Sequence, residues 1–269
     1  MSYKAYVINV DSKPKRMERM RKVASEISLN LERVRAVTSE ELPVKTSFSP
    51  IFNRELSFPE LSCFYSHVEC WKKIANGKEP FALVLEDDVV MSPKVSSLLE
   101  TLEQSTITFD ILRLEHPMKD DRIHTDEICE VGEFRFAHLL SRACYTAAMI
   151  VSKEGAKKLI KLAEPILPID EFLFNYYSPV FFKIKTYQIE NVLAWQLESL
   201  DLPLSDGMKS SINRSRTETK KRKSIFSAIK KLSIKLNYLR KFRGKNLFEV
   251  TIKETEKEIL TQKEMQRCC

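Results

Sequence analysis

The sequence predicts an α/β protein with an open, mostly parallel sheet flanked by helices, and three observations carry that expectation. An apolar strand pattern at the start of the chain runs into a polar loop and a charged helix. A continuous apolar run at residues 81–85 reads as a strand buried on both faces. Strand and helix patterns then alternate through about the first 200 residues, which a helical bundle would not show. With 269 residues, 43% apolar content, 5 Gly and 11 Pro, collagenous and wholly disordered chains are excluded.

Residues 3–10 alternate in polarity, and Asn9 and Asp11 mark the turn into a loop; residues 14–27 form the first helix. A loop containing Pro43, Pro50 and Pro59 precedes a helix over 61–74, closed by Asn76-Gly77. Strands follow at 81–85, 109–114 and 147–151, the last leading into a helix over 153–163 with Ser152 at its N-cap. Residues 205–223 are polar and lack apolar periodicity. They read as a linker between a body (1–204) and a carboxy-terminal extension (224–269). No internal repeat is evident.

Charge is divided unevenly. Residues 213–245 hold thirteen Lys and Arg against one acid, Glu218, a net +12, so the rest of the chain sums to −5 although the total is +7. Within that segment Ile225, Ile229, Leu232, Leu236 and Leu239 recur at spacings of four and three, with the cations largely elsewhere around the wheel. Such a basic amphipathic helix suits an anionic bilayer surface; packing on the body or on a second copy in a homodimer is the alternative. Phe226, Tyr238 and Phe242 are the right type to stack on bases. No nucleic-acid motif accompanies them, so nucleic acid is not an expected partner.

The longest uncharged stretches, 143–152 and 172–182, fall well short of the ~20 residues of a membrane-spanning helix. The amino-terminal segment lacks the apolar core and cleavage site of a secretory signal, and cytoplasmic residence is the expectation. Six cysteines without Cys-x-x-Cys spacing argue against a disulfide scaffold.

Glu86, Asp87 and Asp88 directly follow the buried strand. In an extended segment Glu86 and Asp88 point to one side and Asp87 to the other. Ligands of open α/β sheets gather beyond the carboxyl ends of the strands, and hard oxygen donors there suit Mg²⁺ or Mn²⁺. A solvated acidic turn, or a set of carboxylates at a helix N-terminus, is the alternative.

The segment LSCFYSHVECWKKIANGKEPFALVLEDD (61–88) resembles glycosyltransferase family 25, in which a Cys-x-x-Ser-His helix precedes an apolar strand ending in Glu-Asp-Asp. The order of motifs is similar too: YVINVDSKPKRMERM upstream, then the strand at 109–114, CYTAAMIVSKEGAKKLI, PIDEF and NVLAWQ. The likeness covers about residues 3–200. It departs at Ser62, where the family usually has Gly, and at Arg142-Ala143-Cys144-Tyr145-Thr146, where the family usually has Gly-Thr-x-Gly-Tyr.

This resemblance implies a GT-A-like, sugar-nucleotide-dependent transferase, many members of the family moving galactose from UDP-galactose to lipooligosaccharide with inversion. It implies that Glu86 and Asp88 hold Mn²⁺ or Mg²⁺ against the diphosphate, and that Asp87 meets ribose or donor sugar. Asn9 and Asp11 would bind uracil or ribose, Arg16 or Arg19 the phosphates, with a solvated helix face as the arginines' alternative, and Ser66 and His67 would line the donor pocket, with a capping or core-buttressing role as the alternative for His67. Asp170 is the first choice for the base that deprotonates the acceptor, with Glu171 and Glu115 as rivals and an N-cap as its structural alternative. Gln196 would complete the metal or donor shell. A lipid-linked acceptor would place the enzyme peripherally on the inner face of the cytoplasmic membrane, held by the basic segment. UDP-glucose or an N-acetylhexosamine nucleotide is the alternative donor, and a non-catalytic membrane or nucleic-acid adaptor the alternative from another class.

Overall fold

The computed structural model describes residues 3–116, 122–200 and 246–268. The elements run β1 (Tyr3–Asn9), α1 (Pro14–Glu26), β2 (Leu29–Arg35), β3 (Phe48–Ser49), β4 (Arg54–Glu55), α2 (Phe58–Asn76), β5 (Phe81–Glu86), β6 (Val89–Met91) and α3 (Lys94–Glu103). They continue as β7 (Ile111–Arg113), β8 (Arg122–Thr125), β9 (Ile128–Val131), β10 (Phe134–His138), β11 (Ala148–Ser152), α4 (Lys153–Leu162), α5 (Ile169–Phe174), β12 (Thr186–Ile189) and β13 (Ala194–Gln196). A short 3₁₀ turn (Leu197–Leu200), β14 (Phe248–Thr251) and α6 (Lys257–Cys268) complete the described chain.

One sheet has the order β2-β1-β5-β11-β7-β12-β10-β9. Its pairings make β2, β1, β5, β7, β12 and β9 run one way, with β11 and β10 reversed. The expected open, mostly parallel sheet is therefore present, with an antiparallel strand inserted at its centre. β5 alternates between two cores, as a strand buried on both faces must. Leu83 and Leu85 pack with Met20, Val23, Leu98 and Leu99 of α1 and α3. Ala82 and Val84 face Phe64, Trp71, Leu159 and Phe172 of α2, α4 and α5.

α2 begins earlier than the sequence suggests. Pro59 lies in its first turn, where a missing N–H costs nothing, and the Glu60 carboxylate accepts the Ser57 backbone N–H at 2.9 Å. Ser152 caps α4 as expected, its Oγ accepting from the Gly155 N–H at 2.9 Å. Gly155 allows α4 to lie hard against the lead into β7: a Cβ there would meet the Asp110 carbonyl oxygen at 2.4 Å.

The far end of the segment assigned to a separate extension belongs to the body. β14 pairs antiparallel with β8, and α6 brings Leu260 and Glu264 into buried positions. Apolar burial and an ion pair to α1 hold it there. The linker at 205–223 and the basic helix expected near 225–239 lie outside the described residues. Among the described residues, no helix is long and apolar enough to cross a membrane.

Sheet direction places the site. The carboxyl ends of β1, β5 and β7 and the amino end of the reversed β11 share one edge, where the Glu86 N–H donates to Ala147 O at 2.8 Å. Asn9, Glu86 to Asp88, Glu115 and Thr146 are thus delivered to one place from four strand ends.

Candidate active site

Asp87 is the anchor of the edge. Asn9 Nδ2 donates to its Oδ2 at 2.6 Å, and Arg16 Nη1 donates to its Oδ1 at 2.7 Å. Both oxygens already accept from protein, which makes Asp87 the fastening between β1, α1 and β5. Arg16 Nη1 also reaches Asp88 Oδ2 at 3.2 Å. Burial lowers the affinity of Arg16 for its proton, but Asp88 and Asp87 outweigh it and the guanidinium stays firmly charged.

Asp88 is buried, and its Oδ1 has no hydrogen-bond partner. Burial, with Glu86 and Asp87 nearby, pushes its carboxyl up to about 7 against the pull of Arg16. An orphaned carboxylate oxygen short of positive charge is what a cation site looks like without its cation, so the residues fit Mn²⁺ or Mg²⁺. Glu86 differs. Burial raises its carboxyl, but His67, Thr146 and Arg16 together hold it below the usual range. Thr146 Oγ1 donates to Glu86 Oε1 at 2.9 Å, and His67 Nε2 lies 3.8 Å from the same oxygen.

Glu115, at the end of β7, is raised to about 8 by burial, with Arg113 opposing and Glu86 reinforcing the shift. Arg113 lies 3.9 Å from Glu115, stacks 4.3 Å from the Phe174 ring centroid, and donates to the Cys144 carbonyl at 2.5 Å. Burial pushes its guanidinium down, and its Nε and Nη1 have no hydrogen-bond partner. Asp170 lies within electrostatic range of Arg113, Arg142 and Cys144. Pro168 occupies the N-cap of α5, so Asp170 sits in the first turn and is not the cap. Gln196 ends β13 opposite Val89, and the next residue's N–H, that of Leu197, donates to the Asp88 carbonyl at 2.8 Å.

Several of the expected site residues are engaged by protein partners. Arg19 does not present a fork to phosphate: it is buried, with Nε on Glu264 Oε2 at 3.0 Å and Nη2 on the Val89 carbonyl at 2.7 Å. Arg16 is likewise turned inward onto the acidic pair, because both arginines lie on the face of α1 that packs against the sheet. Glu171 is engaged in an ion pair with Arg142 and accepts from Asn175 Nδ2 at 2.5 Å, whereas it was expected as a rival base. Ser66 is also engaged locally, donating to Ser62 O and accepting the Val37 N–H.

Sequence reasoning missed Arg33. It lies on β2, donates to Asn9 Oδ1 at 2.9 Å and to Asp11 Oδ1 at 2.5 Å, and remains part exposed. Arg113 was missed as well; an arginine inside the apolar ILRL run was its only signal. Tyr145 stands where the family resemblance expects Gly, and it adopts a left-handed φ of 68° with its ring exposed beside Thr146. That backbone costs a non-glycine residue on the order of 1 kcal/mol, and such strain concentrates at functional sites. An open cavity of about 600 Å³, lined by Gln104, Cys129, Lys185 and Tyr187 among others, lies at the opposite, amino edge of β7 and β12 and holds none of these groups.

Acidic groups with a buried oxygen that has no hydrogen-bond partner gather at the carboxyl edge of the sheet, where open α/β proteins bind their ligands. Residues 2–173 match the family described as glycosyltransferase family 25 (LPS biosynthesis protein), and the chain belongs to that family. It is 26% identical to the lipooligosaccharide biosynthesis protein lic2B of Haemophilus influenzae over 81% of this chain and 86% of that one. It is 29% identical to procollagen galactosyltransferase 1-A of Xenopus laevis over 72% of this chain and 34% of that one. The chain thus spans about a third of the length of that relative. A Drosophila β-1,4-galactosyltransferase 7 mutant in complex with manganese, UDP-Gal and xylobiose aligns over 83% of each chain at 10% identity, with a TM-score of 0.34.

Proposed function

We propose that the chain transfers galactose from UDP-galactose to a lipooligosaccharide or lipopolysaccharide acceptor with inversion. Family membership and the near full-length likeness to lic2B support the reaction class and the acceptor. The observation that carries the site assignment is the unpartnered Oδ1 of buried Asp88 beside Glu86.

Asp88, with Glu86, would hold Mn²⁺ or Mg²⁺. When bound, that ion supplies positive charge to the departing diphosphate. The other roles fall to the chain itself. Arg16 and Asn9 keep the Asp87 carboxylate, and with it the Asp88 backbone, in place. Asp11 and part-exposed Arg33, the latter positioned by buried Asn9, offer carboxylate and guanidinium groups to the nucleoside and phosphate end of the donor. Gln196 borders the same edge. Asp170 takes the acceptor hydroxyl proton as that oxygen bonds the anomeric carbon and the bond to UDP breaks on the opposite face.

The basic segment at 213–245 would attach the enzyme to anionic lipid at the inner face of the cytoplasmic membrane, where its acceptor lies. Liposome co-sedimentation of the full chain at low and high salt tests that attachment; binding indifferent to salt and to anionic lipid would count against it.

Thermal shift with a panel of UDP-sugars, with and without Mn²⁺, tests the donor site. A ligand at 100 times its Kd stabilises the native state by about 2.7 kcal/mol. The expected result is a melting-temperature rise for UDP-galactose that needs Mn²⁺ and disappears in Asp88→Asn. A larger rise with UDP-glucose or an N-acetylhexosamine nucleotide would reassign the donor. A rise unaffected by EDTA and by Asp88→Asn would overturn the cation assignment.

A further inference from the structure

We propose that Cys63, His67 and Glu86 form a binding site for a thiophilic divalent cation of the Zn²⁺ class. Cys63 and His67 are four apart on α2, so their side chains share one helix face. That face abuts the end of β5. The thiol, a ring nitrogen and a carboxylate oxygen all lie within 4.8 Å of one another, with His67 Nε2 and Glu86 Oε1 already 3.8 Å apart. Tetrahedral zinc bonds to sulfur, nitrogen and oxygen set such donors roughly 3.3–3.6 Å apart. The remaining contraction is of the order of an ångström. Cys63 and Glu86, both only partly buried, have the freedom to make it.

A second observation points to a ligand independently. His67 is fully buried, and neither ring nitrogen has a partner within hydrogen-bond distance, the Glu86 carboxylate meeting Nε2 only as a 3.8 Å ion-pair contact. A buried imidazole normally donates through one nitrogen and accepts through the other, and a bare one aimed at a thiol and a carboxylate is poised for metal. Donor softness sets the choice of ion. A thiolate and an imidazole favour Zn²⁺ over the Mg²⁺ or Mn²⁺ suited to Asp88, and three protein donors leave a fourth position for water. Glu86 is common to both donor sets, which makes the two ions competitors for one carboxylate. The inference does not rest on the transferase reading, because nothing in it requires a nucleotide or an acceptor.

The test is titration of the reduced, metal-free full-length chain with Co²⁺, then Zn²⁺. The expected result is a near-ultraviolet thiolate-to-cobalt charge-transfer band with visible ligand-field absorption of a four-coordinate site, abolished by Zn²⁺ and untouched by the same concentration of Mg²⁺. Loss of an outer hydrogen-bond partner already weakens metal sites 10–100-fold, so Cys63→Ser, which removes a ligand outright, should weaken Zn²⁺ binding by roughly tenfold or more and remove the band. A second readout needs no variant: Zn²⁺ should slow alkylation of Cys63, mapped by mass spectrometry, and leave Cys144 unaffected. Absence of the band in the native chain, its persistence in Cys63→Ser, or equal displacement by Mg²⁺ would each overturn the proposal.

Discussion

Arg16 Nη1 stands 2.7 Å from Asp87 Oδ1, so a cation on the first helix holds the acidic turn after β5 in register. Both side chains are more than nine-tenths buried. Arg16→Ala would leave Asp87 and Asp88 buried without their counter-charge. Breaking a buried pair from one side costs about 3–5 kcal/mol, and urea unfolding should show a loss of that size with an unchanged m-value. A loss below about 1 kcal/mol would mean the pair behaves as a solvent-exposed one.

Asp88 sets a pH dependence. Its folded carboxyl is raised from 3.8 to about 7, so its protonated form is the one the fold favours. The stability it contributes is complete below about pH 4 and is lost as pH rises through about 7. Mn²⁺ requires the deprotonated group, so its stabilisation of the native state should be larger at pH 8 than at pH 6. In Asp88→Asn, scanning calorimetry at the two pH values should show that difference vanish.

Glu115 behaves the same way at higher pH. It is raised from 4.5 to about 8, so it is protonated at neutrality, and its contribution to stability falls as pH climbs from about 4.5 through 8. A tenfold change in proton affinity between the folded and unfolded chain is worth about 1.4 kcal/mol. Glu115→Gln mimics the protonated form. It should unfold much as the native chain does at pH 6 and resist urea better at pH 9; equal sensitivity at both would show Glu115 to be ionised throughout.

The carboxy-terminal return offers a contrast between two ion pairs. Glu264 is fully buried against Arg19, whereas Lys263 and Glu26 meet in solvent at 3.0 Å. Glu264→Ala should cost about 3–5 kcal/mol by stranding Arg19, and Lys263→Ala less than about 1 kcal/mol. Chemical denaturation of the two variants side by side decides it. Similar losses would mean that α6 does not seat Glu264 in the body.

Asp170 and Glu171 are neighbours with separable parts. If Asp170 takes the acceptor proton, Asp170→Asn should lower kcat by about 10²–10⁴-fold and leave the melting temperature nearly unchanged. Glu171→Gln weakens the Arg142 pair and should cost about 1–3 kcal/mol of stability with a far smaller effect on kcat. The reverse pattern would exchange their roles.

Some elements were plain in the residue order because local chemistry specifies them. β5 is an unbroken apolar run, α4 has its Ser152 cap, and the acidic turn follows directly from the strand that ends in Glu86. β2 was hidden because its LNLERVR sequence is charged, as suits an edge strand whose Glu32 pairs with Lys4 and Lys73 at the surface. The short strands β8 to β10 carry too little pattern for their antiparallel pairing to show.

Residue types and their spacing along the chain decided the family, the sheet class and the location of the carboxylates at a strand end, since period, capping and turn chemistry are local. Tertiary packing decided which of those groups remain open to a ligand. Partners 71, 245 and 29 residues away in sequence engage Arg16, Arg19 and Glu171, while Asp88 and His67 are left with buried atoms that have no hydrogen-bond partner. A helix face chosen by core burial turns its arginines inward whatever their chemistry would otherwise do, and the reversal of β11 that sets Thr146 beside Glu86 depends on pairings far apart in the chain.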